Sequence, residues 1–212
     1  MPFLNANLSI LIAVLLYVII HFFNTWIHKQ ARYLILGALI LTTLVIFIDI
    51  PVLSFIIDGG HLSLALFILI MFAGVMLKSW IPYKKILLVR GDLAIIGFIF
   101  LLPHGINRLS LALSGYNMSG LFAAIIMLPL TISSFITIRK KIRPDRWKKL
   151  HKLAYVAYFL IYIHLGFDVF LDSTYGYVKF SPNSILYHSL LLIYIVLKIM
   201  RIKQKKVQLK EN

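Results

Sequence analysis

The chain has 212 residues, of which 61% are hydrophobic, and its 22 Lys and Arg against 7 Asp and Glu give a formal net charge of +15. A mean hydropathy of +0.92 excludes a soluble domain with one anchor, and the connections between apolar stretches are too short for a soluble nucleotide-binding domain. The absence of cysteine excludes disulfides, thiolate nucleophiles, iron–sulfur clusters and covalently attached c-type haem.

Seven apolar stretches predict an all-α membrane protein, a bundle of seven transmembrane helices. Residues 1–31 form an extra N-terminal helix, 32–202 a six-helix domain and 203–212 a basic cytoplasmic tail. The first stretch lacks a basic n-region and an A-x-A-like site, so we expect a mature helix and not a signal peptide. Asp49 and Pro51 interrupt the second stretch, where a kink is expected. The predicted spans are 3–27, 33–57, 61–77, 92–113, 119–138, 147–171 and 183–200.

The distribution of basic residues predicts an orientation. When alternate loops are assigned to alternate sides, all of the 22 Lys and Arg except Arg108 and Lys179 fall on one side. The positive-inside rule then places the N-terminus outside and the C-terminus in the cytoplasm of a plasma or inner membrane. We interpret the basic residues as orientation signals and anionic-lipid contacts, with no role in binding nucleic acid. Four acidic residues fall on the outer side: Asp49, Asp58, Asp168 and Asp172.

Two histidines are predicted at one depth in the membrane. His104 lies 12 residues after Asp92, and His164 lies 13 after His151, on two parallel spans. At about 1.5 Å per residue, each histidine is roughly 18–20 Å above the inner end of its helix. A neutral imidazole keeps one ring nitrogen free as a metal ligand, so the pair predicts axial ligation of a haem b iron. The alternative is two separate histidines, each hydrogen-bonded to a neighbouring helix.

A charged residue follows each of these histidines by four positions. Arg108 follows His104 and Asp168 follows His164, so each should lie one turn nearer the outer surface on the same helix face. Arg108 is placed to bind a haem propionate. The alternative is an arginine at the cavity rim that pairs with Asp168.

The remaining histidines lie near predicted membrane boundaries. The 13 residues from His151 to His164 span about 20 Å, which is enough for two haem levels, but a straight helix turns about 140° over that distance, so a kink would be needed to point both at one cleft. Surface exposure at the inner boundary is an equal alternative for His151. For the others an interfacial position is favoured over a role as second ligand or quinone contact: His21, His28, His61 and His188.

Two segments carry a family resemblance. They are LLVRGDLAIIGFIFLLPHGINRL, residues 87–109, and RWKKLHKLAYVAYFLIYIHL, residues 146–165. The chain resembles the ferric reductase-like transmembrane domain family, which includes ferric reductases and NADPH oxidases. It is most similar to MsrQ, the haem-binding membrane subunit of the bacterial periplasmic methionine sulfoxide reductase system. The resemblance covers residues 33–201, and the extra first span lies outside it.

The resemblance implies that His104, His151 and His164 are haem-binding positions for one or two haems b. It also exposes a difference, because two-haem members carry a further histidine near the place where Arg90 stands here. Arg90 and the cluster around Lys148 put positive charge at the inner level. We therefore expect the inner level to bind FMN, a quinone or an acidic partner, with His151 as a hydrogen-bonding residue or single ligand.

These expectations define a leading function and two alternatives. The leading one is a b-type cytochrome that moves electrons from a cytoplasmic flavin reductase or membrane quinol to an extracytoplasmic partner of the methionine sulfoxide reductase type. It would be an electron-transfer subunit with no NAD(P)H domain and no catalytic residue of its own. The first alternative is the membrane component of a ferric or other metal reductase. The second is a haem-free transporter or structural protein, although paired broken helices in matching halves are not found.

Overall fold

The computed structural model describes the backbone of residues 2–48, 50–171, 176–181 and 183–208, and the side chains between 8 and 205 within those ranges. Asp49, Asp172, Pro182 and Lys210 lie outside the described residues. The helices and strands are α1 (Pro2–Lys29), α2 (Ala31–Phe47), α3 (Pro51–Ile57), α4 (His61–Ala73), α5 (Ile81–Asn107), α6 (Leu109–Leu113), α7 (Met118–Ile132), α8 (Ile136–Arg139), α9 (Pro144–Leu150), α10 (Leu153–Gly166), β1 (Phe167–Leu171), β2 (Gly176–Phe180) and α11 (Ser184–Gln208).

The second predicted span is two helices. α2 ends at Phe47, and α3 begins at Pro51, because a proline has no N–H to lose in the first turn of a helix and its fixed φ suits that position. A turn then joins α3 to α4 through Gly60, whose φ of +76° is readily adopted only by glycine. The interruption predicted at Pro51 is therefore confirmed, but it separates two helices, and the second of them belongs to a candidate span that continues to Ala73 instead of ending at residue 57.

The sixth predicted span, 147–171, is also wrong in its extent. α9 and α10 are separated at His151 and Lys152, and α10 ends at Gly166. Residues 167–171 are aromatic or aliphatic except Asp168, and they form β1, which pairs antiparallel with β2 and sets Asp168 opposite Lys179. Asp168 thus lies in a strand and not one helical turn beyond His164, as the spacing predicted.

Three other predicted helix boundaries differ from those in the structure. α5 begins at Ile81, well before the predicted residue 92, and the predicted fifth span divides into α7 and α8. α11 continues to Gln208, into the predicted tail, because Lys, Arg and Gln are good helix formers and the segment has no Gly or Pro.

Several helices are long and apolar enough to cross a membrane. In the described residues these are Leu8–Lys29, Pro51–Ala73, Ile81–Asn107 and Ser184–Lys205, with shorter apolar helices at Ala31–Phe47 and Met118–Ile132. Many large apolar side chains point away from the protein, among them Phe22, Phe47 and Ile185 at 71%, 80% and 83% exposure. Surfaces of this kind suit a lipid environment and not water. The protein is thus mainly α-helical and compatible with a membrane, while the count of seven spans stays a prediction.

The long helices place specific residues at two ends of the bundle. We call the end with the β1–β2 hairpin and the α3–α4 turn the hairpin end, and the end with α8 and α9 the basic end. α1 runs from Ser9, which contacts His61 at the hairpin end, to His28, whose Nδ1 lies 2.8 Å from Asp92 Oδ2 near the basic end.

The helix α1 is packed into the core of the bundle. Its residues Ala13, Ile20 and Ile27 are buried in one apolar cluster with residues of α4 and α5. Gly97 of α5 lets α4 approach closely, since a Cβ there would lie 3.3 Å from Leu66 Cβ. The extra N-terminal helix therefore belongs to the same packed unit as the cavities described next.

Candidate cofactor site

Two cavities are stacked between the helices. The hairpin-end cavity has a volume of about 370 Å³ and is lined by residues that include His61, His104, Arg108 and His164. The basic-end cavity has a volume of about 580 Å³ and is lined by residues that include Arg90, His151 and Trp147. Both volumes are within the range of small-molecule sites, which is about 300–1,000 Å³.

His104 has a fixed orientation in the hairpin-end cavity. Its Nδ1 lies 2.8 Å from the backbone carbonyl of Asp58 in the α3–α4 turn, so Nδ1–H donates to that oxygen. This bond leaves Nε2 as the unprotonated ring nitrogen. A hydrogen bond of this type is the usual outer partner of a metal-binding histidine, because it sets both the tautomer and the ring direction.

His164 faces His104 across the same cavity. The two ring centroids are 6.2 Å apart and the ring planes are inclined by 78°. Nδ1 of His164 is buried without a hydrogen-bond partner among the described residues, since the nearby Asn117 backbone falls short of hydrogen-bond geometry. A buried polar atom without a partner is rare in native proteins and indicates a bound group or water at the site.

The spacing of the two rings fits one metal ion between them. A metal bonded to two imidazole nitrogens at about 2.0 Å, with each nitrogen about 1.1 Å from its ring centre, separates the centroids by roughly 6.2 Å when the bonds are collinear. Such an ion needs no third protein ligand if a porphyrin supplies the remaining bonds. Accordingly, no cluster of three or more His, Cys, Asp or Glu able to hold an ion occurs in the described part of the chain.

A glycine lies against each of the two imidazoles. A Cβ added to Gly120 of α7 would lie 2.7 Å from Nδ1 of His164, and one added to Gly60 would lie 3.3 Å from Nδ1 of His104. Each ring therefore occupies space that a side chain would otherwise take. The absence of a side chain at Gly120 and Gly60 leaves the space that the two rings occupy. The residues present therefore fit a bis-histidine haem.

Arg108 lies at the rim of this cavity. It is the C-terminal cap of α5 and it lines the cavity together with His104, as their spacing of four predicted. Asp168 accepts a hydrogen bond from the Tyr116 hydroxyl at 3.3 Å, and no carboxylate of the described residues lies within ion-pair distance of Arg108. The proposed pair between Arg108 and Asp168 is therefore absent, and Arg108 is available to an anionic group.

His151 has a different environment at the basic end. Its Nε2 lies 3.1 Å from Ser133 Oγ, and its ring packs on Trp147 at 4.0 Å between centroids, while the Arg139 guanidinium lies 4.6 Å from the Trp147 ring centroid. Burial, and then the charges of Arg90 and Arg139, lower the pKa of His151 to about 4. The ring is thus neutral and held by contacts on α7, α8 and α9.

His164 of α10 and His151, which precedes α10, lie along the same neighbouring helix. His164 contacts Gly120 of α7, and His151 contacts Ser133, the C-terminal cap of α7. The break between α9 and α10 frees His151 from the rotation that a continuous helix would impose. The two histidines nevertheless line different cavities, so the break does not bring them to one cleft.

Arg90 and Tyr158 both line the basic-end cavity. The structure places no histidine of the described residues opposite His151 in this cavity. Beside many aliphatic residues, the lining includes a group of cationic and aromatic side chains: Arg90, Arg139, Trp147, Lys148, Lys152, Tyr155, Tyr158 and Tyr194.

Sequence reasoning missed one residue of the hairpin-end cavity. His61 lines it and is hydrogen-bonded to Ser9 of α1, whereas we expected an interfacial position. The Asp58-Gly-Gly-His run was the available signal, because a glycine turn next to a histidine brings backbone close to a neighbouring helix. The other histidines line neither cavity: His21, His28 and His188.

Comparison with known proteins adds a relative but no family. The chain is 26% identical over 165 residues to an uncharacterized protein of Treponema pallidum (strain Nichols), which covers 70% of this chain and 45% of that protein. The chain thus spans less than half the length of the relative that it matches. No family model and no solved structure matches it. The resemblance to the ferric reductase-like family stays a prediction.

Proposed function

We propose that this chain is a b-type cytochrome, the membrane subunit of an electron-transfer system, with one haem b held between His104 and His164. The observation that carries the proposal is the pair of partly buried imidazoles, 6.2 Å apart between centroids on one cavity, each packed on a glycine. When bound there, haem supplies reversible one-electron chemistry. The protein residues orient the two imidazoles, and Arg108 offers a positive charge to an acidic edge at the rim.

The basic end is the proposed entry for electrons. Its cavity joins an aromatic lining to several positive charges, which suits a flavin phosphate, a quinol or an acidic flavin reductase. A complete second bis-histidine site is not proposed, because Arg90 stands where the second histidine is wanted and His151 is engaged by Ser133. The hairpin end is the proposed extracytoplasmic side, where a methionine sulfoxide reductase-type partner or, as an alternative, ferric iron would accept electrons.

The test is a reduced-minus-oxidised absorption spectrum of the purified full-length chain. We expect a low-spin b-type spectrum in wild type, and its loss in His104→Ala and in His164→Ala. His21→Ala is the matched control, because His21 bonds only Tyr17 in the described structure and lines neither cavity. Its spectrum should equal that of wild type.

Two results would contradict the proposal. A wild-type chain purified from haem-replete cells without haem would favour the haem-free transporter or structural protein. A normal spectrum in both alanine variants would show that haem binds elsewhere. Haem quantitation adds a further check, since two bis-histidine haems per chain, with one lost in His151→Ala, would show that the basic-end site is complete.

A further inference from the structure

His61 is a third imidazole on the hairpin-end cavity, and haem ligation by His104 and His164 does not use it. It is the first residue of α4 and is 8% exposed, and Ser9, its partner on α1, is 1% exposed. The Ser9 hydroxyl lies 3.0 Å from Nδ1 of His61. This hydrogen bond satisfies Nδ1 of His61 and leaves Nε2 as the ring nitrogen without a role in the contact with Ser9.

The contact with Ser9 is compatible with both tautomers of His61, because a serine hydroxyl can either accept from Nδ1–H or donate to an unprotonated Nδ1. Nδ1 is occupied by Ser9 in both, so Nε2 is the ring nitrogen left for a ligand in the cavity. In the tautomer with the proton on Nε2, His61 offers an N–H donor to that ligand.

The charge of the cavity defines the group that would accept this hydrogen. Arg108 and His61 lie at its hairpin end, and no carboxylate is among its described lining residues. Most of the remaining wall is aliphatic or aromatic, including Leu64 and Phe67. A ligand with an apolar body and an acidic edge directed to the hairpin end complements this lining.

We infer that His61, positioned by Ser9 of α1, binds a carboxylate of the cavity's ligand, so that one haem propionate meets His61 and the other meets Arg108. The inference rests on the proposed function and extends it. It also gives α1, which lies outside the family resemblance, a part in building the site. His61 is a binding residue here, and Ser9 is a positioning residue.

The experiment measures the rate at which haem leaves the purified full-length protein for excess apomyoglobin. We expect His61→Phe to release haem roughly tenfold faster, because it loses one hydrogen bond to a charged group. Ser9→Ala should release it faster by a smaller factor, and His61→Gln, which keeps an N–H donor, should stay near wild type. The matched control is Ser54→Ala, since Ser54 has a buried hydroxyl without a partner among the described residues and lines neither cavity.

A modified cofactor separates this contact from a general loosening of the cavity. Reconstitution with the dimethyl ester of haem removes both carboxylate charges, so wild type and His61→Phe should then release it at the same rate. A persistent tenfold difference with the ester would overturn the inference, as would equal rates with native haem. Each of those results leaves haem binding intact, whereas a wild-type chain without haem would refute the proposed function itself. If His61→Phe fails to fold, Ser9→Ala and His61→Gln carry the same comparison.

Discussion

Replacement of Gly120 by alanine tests whether the position of the His164 ring depends on the absence of a side chain at residue 120. The new Cβ would lie 2.7 Å from Nδ1 and 2.9 Å from Cε1 of His164, whereas ordinary contact begins at 3.4 Å. The ring must therefore move away by 0.7 Å at Nδ1. A metal bond of about 2.0 Å does not stretch by that amount, so the imidazole would lose its alignment with His104.

The expected stability change combines two opposing effects. Alanine in a helix is favoured over glycine by about 0.5–1 kcal/mol, while forcing a group into a filled site costs about 1–3 kcal/mol. We expect Gly120→Ala to be destabilised by about 1–2 kcal/mol, which lowers the Tm by a few degrees for a chain of this size. If His164 is a ligand of the proposed haem, the absorption spectrum of the variant should shift from low spin toward high spin.

The control is Gly37→Ala, at a helical glycine of α2 whose added Cβ meets nothing within 4 Å. It should keep the wild-type spectrum and gain a little stability from helix propensity. Thermal unfolding in detergent and the absorption spectrum are measured on both variants. The reasoning would be refuted if Gly120→Ala kept the spectrum, haem content and Tm of wild type.

Three further predictions concern other parts of the molecule. Burial lowers the pKa of His151 from 6.5 to about 4, so the stability that its neutral form contributes is fully present above pH 6.5 and is lost as the pH falls through 4. His151→Phe should therefore show a flatter dependence of Tm on pH between 6.5 and 4. An identical dependence in wild type and variant would contradict the burial of the ring. Arg201 donates to the Gly74 carbonyl at 2.6 Å beyond the end of α4, so Arg201→Met should lose about 1–3 kcal/mol in a denaturation assay, and no loss would show that the bond is not maintained. Reporter fusions should be cytoplasmic at Asn212 and extracytoplasmic after Asp58, and cytoplasmic activity at Asp58 would rule out the orientation deduced from the loop charges.

The features that could be predicted from the sequence lie within uninterrupted helices. His104 and Arg108 share a cavity because α5 remains helical between them. The structure brings the rings of His104 and His164 together, although the residue counts behind that prediction began at Asp92 and His151, whereas α5 begins at Ile81 and α10 at Leu153. Local periodicity determines such relations, so one sequence is sufficient to predict them.

The features that were missed depend on contacts between distant segments. Asp168 was predicted on the helix face of His164, which is wrong. The pairing of β1 with β2 ends α10 at Gly166, and the local sequence does not indicate that pairing. His61 and Ser9 meet across 52 positions of sequence, on helices whose relative rotation is set by packing. Propensity and spacing do not determine that rotation.

The wall between the two cavities is thin. Among the described residues, Phe67 of α4 and Met127 of α7 line both cavities, and both side chains are buried. An electron can cross a layer of packed side chains without any opening, whereas a proton or a hydrated ion needs a continuous path of water. In the proposed cytochrome, Phe67 and Met127 would block the passage of ions between the two cavities while still allowing electrons to pass. Shortening both side chains would then join the cavities and open a path along which protons could leak.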